Sequence, residues 1–350
     1  MIVFSRSTGD IVGPVGQYET PIKMVIEHES ELLSAQIGIC QQLFNVEKSN
    51  HYAETIICQD EFGVFSHVNE GDDAVRDTLI ESYAKHIEHI QFMKEFAISA
   101  EMMEDANYGV PVDAKRRAEN FTRAYYKTMN TICELALING TENGVAFSGS
   151  NIDTTAPDGL PLFSNQHISN NFYQSNYYSG DLVCTGTGSD RKYSVETLEQ
   201  ALTKLGILFR NLKDESGEPL GYTADTIIIP ANRPMLESMV RRVCGSPGSL
   251  GNGYNDINIH CGNWNLVVLP HWQTENDTLM LMSSEANKNL CGNMFFNRVP
   301  LTVTNWVDHH SGNYIWNGRC RFGIGFGSYK HILRVVDLDG EDKSGNTTHF

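Results

Sequence analysis

Residues 113–139 read DAKRRAENFTRAYYKTMNTICELALIN and carry the strongest helical pattern in the chain. Asp113 is a residue type that favours helix N-termini, and Asn139 before Gly140 is typical of a helix C-terminus. At ~1.5 Å per residue the predicted helix is roughly 40 Å long, and a single apolar stripe of that length indicates an elongated body. Apolar side chains recur at steps of three and four residues, at Ala114, Ala118, Phe121, Tyr125, Met129, Ile132 and Ala136.

The segment before this helix indicates a long two-stranded hairpin. Residues 53–68 read AETIICQDEFGVFSHV, and an acidic turn, NEGDDAVRD, follows at residues 69–77. Residues 89–99 read HIQFMKEFAIS, in which apolar and polar side chains alternate as in a strand. We therefore predict an extended hairpin over residues 51–98. Because a lone two-stranded hairpin is marginally stable in water, we expect it to lie on a neighbouring subunit.

The rest of the chain divides into an N-terminal arm and a C-terminal α/β block. Residues 1–24 indicate an extended arm, and residues 27–44 have the apolar spacing of a helix. From Ser194, a residue type that caps helices, helical and strand patterns alternate. Asn232 is the expected cap of a second helix in this block. Residues 338–350 are polar and acidic, so we expect a loose tail.

The composition restricts the class of function. The 350 residues carry a formal net charge of −17, which repels phosphate backbones and argues against a protein that wraps DNA. Eight cysteines include no C-x-x-C pair and no zinc-finger spacing, so we predict reduced thiols and no metal site. The N-terminus lacks the pattern of a signal peptide, and no stretch approaches the ~18–20 apolar residues of a membrane helix. We expect a soluble protein made in a reducing cytoplasm.

The stretch DGLPLFSNQH, at residues 158–167, places a serine and a histidine three residues apart. With Ser164 as nucleophile and His167 as base the chain would be a hydrolase, but the G-x-S-x-G turn of such enzymes is absent. The alternative, which we favour, is that Ser164, Asn165 and His167 satisfy backbone groups in a turn.

The remaining polar clusters match no catalytic or ligand-binding pattern. His86 and His89 fail the H-E-x-x-H spacing of a zinc site, and the glycine-rich stretches at 184–190 and 244–253 lack the phosphate-binding motif. Asp308, followed by two histidines, indicates a solvated turn. The sequence therefore predicts no catalytic, cofactor-binding or metal-binding residues, no cofactor and no enzyme activity.

The order of these segments resembles the major capsid proteins of tailed bacteriophages, which share the Johnson fold. FAISAEMMEDA at residues 96–106 is similar to the family's passage from the extended loop into the body, and the helix after it to the spine helix. DGLPLFSNQH resembles the D-G-x-x-L-F-S-x-x-H stretch of the Mu-like major head subunit group. GEPLGYTADTIIIPANRPMLESMV, at 217–240, and NLVVLPHW, at 265–272, resemble elements of the axial domain. The resemblance covers roughly residues 50–336 by pattern order rather than by identity.

The resemblance implies an α+β chain with an N-terminal arm, an extended hairpin loop, a long spine helix in a peripheral domain, and an α/β axial domain. The implied division is 1–50 for the arm and a short helix, 51–98 for the extended loop, 99–190 and 301–337 for the peripheral domain with its spine helix at 113–139, 191–300 for the axial domain, and 338–350 for a loose tail.

The resemblance also implies a function and partners. The chain would assemble as hexamers and pentamers into the icosahedral shell around the double-stranded DNA genome, which it would enclose without specific binding. A portal protein at one vertex and possible decoration proteins are implied, in a virion assembled in the host bacterial cytoplasm. Since only about fifty residues precede the extended loop, scaffolding is expected from a separate protein. Some relatives crosslink a lysine of this loop; Lys85 and Lys94 are nearby, but we predict no crosslink.

Two alternatives stay open from the sequence alone. An encapsulin-type nanocompartment shell has a similar fold but encloses a cargo enzyme, and the Mu-like stretch favours the phage interpretation over it. A hydrolase that uses Ser164 and His167 is the alternative from another class. In the phage interpretation the acidic charge lies on the lumen face, because packaged DNA must not adhere to the wall.

Overall fold

A computed structural model describes residues 3–4, 14–35, 38–59, 67–69, 73, 81–104, 112–169, 172–184, 194–215, 217–248 and 258–339. The helices are α1 (Pro14–Ala35), α2 (Ile39–Leu43), α3 (Ala100–Glu104), α4 (Val112–Ile138), α5 (Gly180–Val183), α6 (Val195–Arg210), α7 (Pro234–Gly245) and α8 (Ser284–Asn289). No helix in these ranges is long and apolar enough to span a lipid bilayer.

The strands form two five-stranded sheets and three two-stranded ones. In chain order they are β1 (Val3–Phe4), β2 (Asn45–Lys48), β3 (Ala53–Gln59), β4 (Glu81–Glu88), β5 (Ile90–Ile98), β6 (Gly144–Phe147), β7 (Ser150–Asp153), β8 (His167–Ser169), β9 (Phe172–Gln174), β10 (Tyr177–Ser179), β11 (Thr226–Pro230), β12 (Asn265–Leu269), β13 (Leu279–Met282), β14 (Asn293–Val307), β15 (Tyr314–Phe326) and β16 (Ile332–Val336).

The larger sheet is built on the long antiparallel pair β14 and β15, and its order is β1-β14-β15-β5 with β2 also paired to β14. The position of β5 corrects the prediction of one hairpin over residues 51–98. Only β3 and β4 form that hairpin, whereas β5 pairs with β15 along its whole length. The reason is aromatic packing, because Phe92 stacks on Phe322 with ring centroids 5.0 Å apart and Phe96 on Trp316 at 6.2 Å.

The spine helix was predicted within one residue at each end, as 113–139 against α4 at Val112–Ile138. Its apolar stripe is buried against one face of the larger sheet. Helix α1 lies beside it and buries Ile22 and Ile26 in the same cluster as Ala114 and Ala118. This contact corrects the prediction of an extended arm over residues 1–24 and a helix over 27–44, because burial of the isoleucines outweighs the unfavourable Pro21.

The second sheet has the order β10-β16-β13-β11-β12 and packs against α6 and α7. Ser194 caps α6 as predicted, and its hydroxyl accepts from Thr197 N. Asn232 does not cap α7, whose N-cap is Arg233, because the Asn232 side chain pairs with Thr274 instead. The strand pairing also differs from the predicted division, since β16 joins this sheet through β13 and β14 begins in the larger sheet at Asn293.

A buried polar network around His331 joins the two sheets where β14 and β16 begin. His331 Nε2 lies 2.7 Å from Asn293 Oδ1. The side-chain amides of Asn293 and Asn287 both donate to the Leu43 carbonyl, at 2.8 and 3.2 Å. Desolvation by burial lowers the pKa of His331 to about 3, against an opposing contribution from the Ser328 backbone. The network therefore holds a neutral imidazole at neutral pH.

Candidate functional site at the base of the hairpin

The hairpin of β3 and β4 projects from the larger sheet, and its two strands are in antiparallel register from Ala53 opposite Glu88 to Gln59 opposite Glu81. Ile56 and Ile87 point inward and pack on Met294 and Phe296 of β14. Ile57, which points to the opposite face, and Tyr83, which is farther from the base on the anchored face, are each 49% exposed. The hairpin is therefore anchored at its base and exposes large apolar side chains beyond it.

Glycines of β15 make room for the base of the hairpin. A Cβ atom at Gly323 would lie 2.7 Å from His89 Nδ1, and one at Gly325 would lie 2.3 Å from Ile87 Cδ1. At Gly327, directly after β15, a Cβ atom would lie 2.3 Å from the backbone oxygen of Cys291. These glycines alternate with core residues on the opposite face of the strand. The hairpin thus rests directly on the backbone of β15, a contact that a larger residue would crowd.

A polar cluster ties the two legs of the hairpin together. Ser49, just before the first leg, donates its hydroxyl to Glu54 Oε1 at 2.5 Å. His89, the single residue between β4 and β5, places Nε2 2.9 Å from the same hydroxyl. Burial, with a further contribution from Arg321 and Arg298 against that of Glu54, lowers the pKa of His89. A neutral His89 ring that carries its proton on Nε2 therefore donates to Ser49 and closes the base.

Lys85 makes a second attachment, from β4 to the segment around β7. Its ammonium lies 2.5 Å from both Asp153 Oδ2 and Thr155 Oγ1. Although partial burial alone would raise the pKa of Asp153, the hydrogen bonds from Lys85 and Thr155 hold it below its ordinary value. Lys85 is therefore buried and paired, whereas Lys94 lies exposed on β5.

Ser164 and His167 do not form a pair. His167 is fully buried, with Nδ1 2.7 Å from Asp158 Oδ2 and Nε2 3.1 Å from the Leu162 oxygen. Its ring stacks on Tyr329 at a centroid distance of 3.8 Å. The Ser164 hydroxyl instead accepts from a backbone N–H two residues later. Since both nitrogens of His167 are engaged, neither is available as a base for Ser164.

Asn176 is a residue that sequence reasoning missed in this connection. Its Oδ1 accepts from Ser164 N at 3.0 Å. Its Nδ2 lies within hydrogen-bond distance of the backbone oxygens of Leu162, Tyr329 and Ile332. An asparagine in a tyrosine-rich stretch carries no local signal for such a role. Together with His167 it fixes the connection after the spine helix to the start of β16.

The other polar residues that the sequence singles out do not converge on one site either. His86 is exposed and contacts Thr55 at 3.3 Å, whereas His89 belongs to the base of the hairpin. Asp308 accepts from the backbone of His310 and from Ser311, as in a solvated turn. Across the described ranges no three metal-ligating side chains converge. Seven cysteines are free thiols, namely Cys40, Cys133, Cys184, Cys244, Cys261, Cys291 and Cys320.

Known proteins resemble this chain in fold rather than in sequence. No protein-family model and no curated protein matches the chain. A chain in the capsid of Myoviridae phage XM1 superposes with a TM-score of 0.50 at 13% identity, covering 85% of this chain and 92% of that one. A chain in the capsid of the native GTA particle gives a TM-score of 0.50 at 13% identity, covering 86% and 90%. Neither comparison singles out the Mu-like group.

Proposed function

We propose that this chain, which has the α+β Johnson fold seen in those capsids, is the major capsid protein of a tailed phage. It would self-assemble as hexamers and pentamers into the icosahedral shell around the double-stranded DNA genome. The observation that carries the proposal is the anchored hairpin on a body of this fold. Since the hairpin exposes Ile57 and Tyr83 and a lone hairpin is marginal in water, a neighbouring subunit is the surface that would complete it.

The proposal includes partners and a location. The main partner is the chain itself, and a separate scaffolding protein, a portal protein at one vertex and decoration proteins complete the set. The protein belongs in the virion and is assembled in the host bacterial cytoplasm. The net charge of −17 supports enclosure of DNA without specific binding, with the acidic surface toward the lumen.

The occupied nitrogens of His167 support a structural rather than a catalytic role, since a Ser–His hydrolase needs one of them free. We therefore propose that the chain is not an enzyme. An encapsulin-type compartment stays as the second candidate because it shares the fold class, and the contents of the purified particle distinguish DNA from a cargo enzyme.

Assembly of the purified chain, followed by sedimentation and electron microscopy, tests the proposal. We expect closed shells, formed with a scaffolding protein where one is needed. In a matched variant Asn-Gly replaces residues 60–80, because Gln59 and Glu81 are cross-strand partners and a two-residue turn fits that register. This variant should keep the circular dichroism and melting temperature of the parent but form no shells.

Two outcomes contradict the proposal. One is a discrete monomer under all assembly conditions, with a hydrolytic turnover that Ser164→Ala abolishes. The other is normal shells from the shortened variant, which would show that the hairpin does not bind a neighbour. Ser164→Ala serves as the control for assembly, because its hydroxyl only accepts a local backbone N–H.

A further inference from the structure

The outer face of α4 is cationic, although the protein as a whole is acidic. Arg116, Asn120, Arg123 and Lys127 follow one another at steps of four, three and four residues, so they lie on one side of the helix. All four are exposed, and they span about 17 Å at ~1.5 Å per residue. We call these four residues the cationic stripe. The whole chain, by contrast, has 26 lysines and arginines against 43 acidic residues.

The stripe is only partly neutralised within the chain. Arg123 Nε lies 2.6 Å from Glu29 of α1, yet the Arg123 side chain remains 56% exposed. Within the ranges that the structure describes, Arg116 and Lys127 have no ion pair. Arg123 and Lys127 are also like charges four residues apart, an arrangement that destabilises a helix. The stripe therefore lowers the stability of the isolated subunit, and binding of an anionic partner would offset this loss.

The chain contains an anionic segment of matching charge between the two strands of the hairpin. Residues 60–80 hold six carboxylates and a single cation, Arg76. The carboxylates are those of Asp60, Glu61, Glu70, Asp72, Asp73 and Asp77.

The hairpin and α4 pack on opposite faces of the larger sheet. A Cβ atom at Gly318 would lie 2.3 Å from Phe121 of α4, whereas Cβ atoms at Gly323 and Gly325 would meet the base of the hairpin. Because side chains alternate between the faces of a strand, even-numbered positions of β15 face α4 and odd-numbered positions face the hairpin. The base of the hairpin and α4 therefore lie on opposite faces of β15.

We propose that the cationic stripe binds the acidic 60–80 segment of a neighbouring copy. The inference rests on the proposed function and names the charged contact within it. Single exposed ion pairs contribute little and are screened by salt, but a row of complementary charges sets the orientation of an encounter and excludes wrong partners. The contact orients the hairpin on its neighbour, while the apolar side chains of the hairpin supply the burial.

Charge reversal tests the proposal from both sides. Arg116→Glu with Lys127→Glu reverses the stripe at the two positions without an ion pair, so the fold should be retained. Asp72→Lys with Asp73→Lys reverses the segment. With two exposed pairs turned repulsive, we expect each double variant to raise the critical concentration for shells about tenfold or more. The chain with all four substitutions should regain assembly, and an equimolar mixture of the two double variants should assemble at a lower concentration than either double variant alone.

The controls separate this contact from a change in net charge and from a loss of folding. Lys204→Glu with Arg242→Glu changes the net charge equally on α6 and α7, where both side chains are exposed, and should leave assembly unchanged. Circular dichroism and melting temperature report on folding. Shells from the parent chain establish the proposed function whatever the variants do, so the two proposals fail independently.

Several results would overturn the proposal. One is that the stripe variant assembles normally. Another is that the chain with all four substitutions does not recover assembly. A third is that the control variant loses assembly to the same extent as the stripe variant. Recovery with all four substitutions, but no gain in the mixture over either double variant alone, would place the contact within one chain. Normal shells that lose only packaged DNA would show that the stripe serves nucleic acid instead.

Discussion

Acidification from pH 7.5 to 5.0 should destabilise the folded chain by about 2 kcal/mol through His331 alone. The folded-state pKa of His331 is about 3, against ~6.5 for an exposed histidine in an unfolded chain. Between those values the unfolded chain binds a proton that the folded chain does not, so the free energy of unfolding rises with pH across this window. The contribution is fully present above pH ~6.5 and is lost progressively down to pH ~3.

The magnitude at pH 5.0 follows from the proton affinity of the unfolded state. At this pH about thirty unfolded chains carry a proton on the histidine for each one that does not, while the folded ring stays neutral. The free energy of unfolding is therefore lower by about 2 kcal/mol. Across the whole window the limit is about 5 kcal/mol.

Urea unfolding followed by tryptophan fluorescence at the two pH values measures this effect, with His331→Gln as the matched variant. The Gln amide can still donate to Asn293 Oδ1, as the ring does from Nε2, but it does not titrate. Other groups with shifted pKa values, such as Asp153 and His89, cancel between parent and variant. The reasoning is refuted if both proteins lose the same free energy of unfolding, within about 0.5 kcal/mol, on acidification.

Four further substitutions test the packing described above. Gly327→Ala should destabilise the chain by about 2 kcal/mol in urea unfolding, since its Cβ meets a backbone oxygen, whereas Gly325→Ala meets a flexible side chain and should cost less; the reverse order would contradict this packing. His167→Ala leaves the Asp158 carboxylate buried without its partner and should cost about 3 kcal/mol or more; a smaller loss would show that the pair is not anchoring. Ser164→Ala should stay within about 0.5 kcal/mol of the parent, and a larger loss would give the hydroxyl a role that the structure does not.

The spine helix was predictable because its apolar spacing and its burial agree. The strand that pairs with β5 was not predictable, because apolar and polar side chains alternate in the same way whether a strand pairs within a hairpin or with β15. That choice depends on contacts such as the one between Phe92 and Phe322, which lie far apart in the sequence. The local sequence pattern also failed to predict the first half of α1, because a proline there argues against a helix. Only the fold shows that Ile22 and Ile26 are buried.

The candidate site was predictable only in part. The glycines of β15 were visible as half of an alternation, but their purpose depends on Ile87, which no local pattern connects with them. Ser49, Glu54 and His89 are common residue types without a motif, so their convergence at the base of the hairpin had no signal. The missing G-x-S-x-G pattern favoured a structural role for His167, whereas its place in β8 and its contact with Asp158 emerged only from the structure.

The glycine face of β15 also bears on how one sequence can occupy positions of different geometry in a closed shell. Interdigitated side chains fix the angle between two elements, because each ridge fits one groove. Gly323 and Gly325 provide no ridges, so β4 can change its angle on β15 without passing a steric step. In the proposed shell, five-membered and six-membered rings would require different angles between adjacent subunits. We expect the hairpin to absorb that difference by pivoting at its base, while the two sheets keep one conformation.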